Sequence, residues 1–98
     1  HSIVHESATI ALISILREKR GIDQNLFNKH LKSIIDLAQD ENKSIDYRAS
    51  IVQNLLRMSQ VLNRDSESWQ MLHKMFKNLI ANTSDERIIT LAKTGLQL

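Results

Sequence analysis

At 98 residues the chain is one domain or a piece of one, and its 42% hydrophobic and 24% charged content is ordinary for a soluble globular protein. A formal net charge of +2 is too small to argue for nucleic acid, and the absence of cysteine removes disulfides, thiolate metal sites and cysteine nucleophiles together. With no proline and two glycines, a sheet protein's turns are missing, and no apolar run approaches the ~20 residues of a membrane span.

An all-α chain is therefore expected, and its helices can be placed in order. Val4, Ala8, Ala11, Leu12, Ile15 and Leu16 form a stripe at helical spacing, which predicts a helix over 3–19 stopped by Gly21. Asp23 can cap a second helix over 24–39, buried through Phe27, Leu31, Ile34, Ile35 and Ala38. After the polar turn Asp40-Glu41-Asn42-Lys43, Ser44 caps a third helix reaching residue 62, with Ile51, Val52, Leu55, Leu56 and Met58 inward. Asp65 or Ser66 caps a fourth, to about residue 81, that carries Trp69, Leu72, Met75, Phe76 and Leu79. Thr83 and Glu86 have capping-box spacing, so a fifth helix is expected from near Ser84 to 97, burying Ile88, Leu91, Ala92 and Leu96. Gly95 on its inner face invites a close helix approach.

The order gives one helix and two hairpins, 24–62 and 66–97, and the hairpins repeat. Sliding the sequence by 40 sets Ser44 on Ser84, Ile51 on Leu91, Val52 on Ala92 and Leu56 on Leu96. Sliding it by 42 sets Phe27 on Trp69, Lys32 on Lys74, Ile34 on Phe76 and Leu37 on Leu79, which favours the core for Trp69 over an exposed recognition anchor. Self-similarity at this period marks stacked helical pairs, because one pair cannot bury its apolar face alone. The helix over 3–19 then reads as the second half of a preceding pair. The chain is expected to be a segment of something longer, with Ile10, Ile13 and Ile89 on apolar ends that pair in a homodimer or against flanking chain. A self-contained irregular bundle is the competing reading.

Asp46-Tyr47-Arg48 with Ile51, Val52, Leu55 and Leu56, and Asp85-Glu86-Arg87 with Ile88, Leu91, Ala92 and Leu96, resemble HEAT or armadillo repeats. The resemblance implies a right-handed α-solenoid of five helices in antiparallel hairpins. The turn proline usual before the first helix of such a repeat is absent from both copies. A narrower likeness over TSDERIITLAK, residues 83–93, is to the last helix of the TFIIS N-terminal domain, a HEAT-like bundle that docks transcription-factor peptides.

Catalytic chemistry finds no footing. His1 and His5 are one turn apart but lack a third metal ligand, the HExxH order is absent, and the two glycines are too far apart for a phosphate loop. Neither cofactor nor enzymatic activity is expected. The informative surface is polar: Ser50, Gln53, Asn54 and Arg57 recur at three- and four-residue steps opposite the apolar face of the third helix. In the solenoids that this chain resembles, that helix lines the concave side. The likeness implies that Asn54 grips an extended peptide by its backbone, with Arg17, Arg48, Arg57 and Lys93 giving the groove a basic cast for an acidic partner. The opposite face offers Lys29, Lys32, Lys74 and Lys77. The expected function is a non-enzymatic, intracellular interaction module or scaffold that binds a protein or peptide. Two readings stand beside it: a nucleic-acid-binding domain using the same four basic residues on phosphates, and a self-associating viral or phage bundle.

Overall fold

The computed structural model describes residues 24–97, in which four helices and no strand are formed: α1 Gln24–Ala38, α2 Ile45–Val61, α3 Glu67–Asn82 and α4 Glu86–Gln97. The helix expected over 3–19, with Arg17, lies outside the described residues.

Caps and turns explain the boundaries. Ser44 Oγ accepts from the Tyr47 amide at 3.1 Å and Ser66 Oγ from the Trp69 amide at 3.1 Å, so both expected serine caps form. α4 is capped differently from expectation: Asp85 Oδ1 accepts from the Ile88 amide at 3.1 Å and the helix starts at Glu86. Thr83 instead ends α3, its amide bonded to the Leu79 carbonyl. A carboxylate at the positive end of the helix outcompetes the hydroxyl two residues earlier. Turns without proline or glycine are made by side chains that mimic backbone. Asp40 Oδ1 accepts from the Asn42 amide at 2.9 Å, and Asn63 Oδ1 from the Asp65 amide at 3.0 Å.

Helix directions follow from which residues meet. Ala38 at the end of α1 meets Arg48 near the start of α2, and Phe76 in α3 meets Gly95 in α4, so each hairpin is antiparallel. Between hairpins, Asn28 meets Glu67 and Ser68, and Asp46 meets Arg87, all five near helix starts. α1 therefore runs parallel to α3, and α2 parallel to α4. In α1 and α3 burial repeats every 41 residues, Leu31, Ile34, Ile35 and Ala38 standing where Leu72, Met75, Phe76 and Leu79 stand, all buried. In α2 and α4 it matches best at 40, with Arg48, Val52 and Leu55 over Ile88, Ala92 and Gly95.

That register corrects the placement of Trp69. At 41 residues the counterpart of Phe27 is the fully buried Ser68, whose hydroxyl donates to Asn28 Oδ1 across the hairpins. Trp69 falls one position round the helix, half-buried, stacked on His73 with ring centroids 3.6 Å apart. Phenylalanine and serine share no side-chain likeness, so matching residue types slips the alignment by one.

Candidate functional site

Of the seven residues expected to face a partner, the six described do not form one surface. Arg48 is the clearest departure: its side chain is buried, with 6% of the residue exposed. Its Nε donates to the Ala38 carbonyl at 2.9 Å and its Nη2 to Thr83 Oγ1 at 3.4 Å. Neither α1 nor α3 carries a basic residue in its last turn, and Arg48 supplies the missing cation to both ends. It is a bracket between helices.

Ser50, Gln53, Asn54 and Arg57 do share the outer face of α2, Gln53 and Arg57 exposed, Ser50 and Asn54 half-buried. Lys93 is exposed but turned away from them. Arg87 marks the flank of α4 that meets α2, with Nη2 2.6 Å from Asp46 Oδ1, and Lys93, six residues on, lies about 120° round the helix from it. Arg17 lies outside the described residues.

Among the described residues a concave feature lies on the other side, in the seam between the parallel helices α1 and α3. A cleft of about 330 Å³ is floored by Ile35, Met71 and Met75 and rimmed by Lys32 and Asp36 from α1 and Glu67, Lys74 and Asn78 from α3. It continues past Gln39 and Asn78, which line both parts, into a second cleft of about 260 Å³ bounded by Glu41, Arg48, Leu79, Asn82 and Thr83. From Glu67 to Thr83 the seam runs roughly 24 Å at 1.5 Å per residue, the length of about seven extended residues or a four-turn helix. Its rim alternates Lys32, Asp36, Lys74 and Glu67, so neither sign of charge dominates, while Gln39, Asn78 and Asn82 present amides that both donate and accept.

Of these residues the sequence drew attention as surface candidates only to Arg48 and the lysine pair Lys32 and Lys74. Met75 belongs to the core pattern, whereas Met71 one turn before it is half-buried and faces the cleft. The available signal was Met71-x-x-x-Met75 beside Asn78-x-x-x-Asn82, apolar and amide residues at one-turn spacing on neighbouring stripes. Among the described residues no group of three or more His, Asp or Glu side chains is placed to hold a metal ion, and no described helix is long and apolar enough to cross a membrane.

The site these helices define is a shallow, amide-lined seam on an all-helical stack. Comparison with protein families, curated proteins and solved structures finds no match to this chain.

Proposed function

We infer that this chain is a protein-interaction module of HEAT-like hairpins, non-enzymatic, and that it takes a peptide segment of a partner in the α1–α3 seam. The single observation that carries the reading is the seam itself: an apolar floor with two methionines beneath amides spaced along one line. Methionine adapts its shape to different apolar side chains, and an amide can pair with either half of a peptide bond. An extended or helical segment laid there meets apolar pockets below and hydrogen-bonding groups beside it. The HEAT-like label is supported by the parallel pairing of α1 with α3 and α2 with α4, and by the burial period of 41 residues that relates α1 to α3. The polar face of α2 around Asn54 and Arg57 is the second candidate surface, favoured by its exposure alone.

Selection of random twelve-residue peptides on the immobilised protein tests the reading. Selected peptides are expected to lose at least about tenfold in affinity on Met71→Glu and on Asn78→Ala, and to keep their affinity on Arg57→Glu. The reverse pattern moves the site to α2. If no peptide is enriched while random DNA binds with a steep salt dependence, the nucleic-acid reading replaces this one.

A further inference from the structure

The second hairpin has an outer edge that the first hairpin does not share. On α3, the flank toward α1 is marked by Glu67 and Met71, which line the seam. At about 100° per residue, Trp69, His73 and Ile80 occupy the opposite flank. On α4, Arg87 marks the flank toward α2, and Ile89 and Leu96 lie on the flank away from it. All five are half-buried, and they form one continuous edge because Phe76, packed on Gly95, joins the two helices between them.

The period of 41 residues shows what this edge corresponds to. One repeat earlier, three of the five positions hold Asn28, Gln39 and Arg48 and the other two Lys32 and the buried Leu55. Asn28 and Arg48 make polar connections to the second hairpin, Asn28 to Glu67 and Ser68, and Arg48 to Thr83. On the outer edge the three positions are Trp69, Ile80 and Ile89. The edge continues an established interface in position but changes its chemistry from amide and guanidinium to indole and aliphatic. A further hairpin of the same design, approaching with the counterparts of Ser68 and Thr83, would leave its hydroxyls against apolar side chains. The surface suits an apolar stripe instead.

Charge decides the flanks of that stripe. His73 is stacked between Trp69 and the edge of Phe76, its Nε2 buried and without a hydrogen-bond partner among the described residues. Four residues on from His73 and from Ile89, exposed Lys77 and Lys93 flank the stripe on its solvent side, with Glu86 the carboxylate beside them. Two copies meeting edge to edge would bring these cations together, whereas a carboxylate-bearing helix would neutralise them.

We propose that the edge formed by Trp69, His73, Ile80, Ile89 and Leu96 is a docking face for an amphipathic helix of another protein that carries carboxylates beside its apolar stripe. It is separate from the α1–α3 seam, and it stands if the seam binds nothing.

Trp69 is the chain's one tryptophan, so its emission reports this edge directly. The probes are two synthetic amphipathic helices with the same leucine stripe, one flanked by glutamates and one by lysines. The glutamate helix is expected to shift Trp69 emission to the blue saturably, and the lysine helix to bind at least about tenfold more weakly. Lys77→Glu, at an exposed position where the fold is indifferent, should cost the glutamate helix about the same factor, and Lys74→Glu in the seam should cost it nothing. Equal binding of the two helices, or no shift with either, overturns the proposal. A shift that grows with protein concentration alone, with a doubled sedimentation mass, also overturns it and assigns the edge to a second copy.

Discussion

Gly95 sits inside the α3–α4 contact, where a Cβ would come 2.4 Å from Phe76 Cε2 and 2.6 Å from Cδ2. Those ring atoms belong to a fully buried side chain with no room to retreat. Gly95→Ala should therefore destabilise by about 1–3 kcal/mol, although alanine is by itself the better helix former by about 1 kcal/mol. Urea unfolding checks the sign, and a more stable variant would mean that the helices can separate without cost. His73 belongs to the neighbouring cluster, stacked on Trp69 and edge-on to Phe76. His73 has its proton affinity lowered below the ordinary value of 6.5, first by burial and then by Lys77 and Arg64. With the folded value below the unfolded one, the unfolded chain binds the proton first, so stability rises with pH in this range. Stability should be constant above about pH 7 and fall as the pH drops below 6.5, and His73→Phe should flatten that fall. Chemical denaturation at pH 7.5 and pH 5.5 measures both slopes.

At the scale of the helices, Arg48 is the residue through which three elements depend on one another. It projects from α2, bonds the last carbonyl of α1 and reaches the hydroxyl that ends α3. Arg48→Ala should cost about 2–4 kcal/mol, because it removes charge-assisted hydrogen bonds and strands a buried carbonyl. Arg48→Lys should recover less than half of that loss, since an ammonium cannot reproduce the spread of donors in a guanidinium. Thermal unfolding of both variants tests the claim. By contrast the pair between Asp46 and Arg87 leaves the two side chains 87% and 55% exposed, and solvent screening reduces its contribution to within about 1 kcal/mol of zero. The two Asp-x-Arg motifs look alike in sequence and serve different ends: Arg48 buries itself across helix termini, and Arg87 makes a solvated tie between hairpins.

For the molecule as a whole, the all-helical class, the four described helices and their bounds within two residues were legible in the residues themselves. Apolar spacing of three and four along Phe27 to Ala38 or Leu72 to Leu79 permits only a helix with one buried face, and Ser44 and Ser66 are placed where a helix start needs an acceptor. The pairing into hairpins followed from connections too short for anything else. What the residues alone did not determine was rotation about each helix axis and the side on which the stack is concave. Trp69 moved from core to edge because a one-residue slip turns a side chain by about 100°, and only packing against α1 and α4 fixes that angle. Arg48 moved from groove to bracket because the ends of α1 and α3 converge on it, a meeting of residues 10 and 35 positions away that no local pattern encodes. The seam beneath Lys32 and Lys74 exists only because α1 and α3 lie parallel and leave a furrow between them, so its floor of methionines reads as core until the two helices are set side by side.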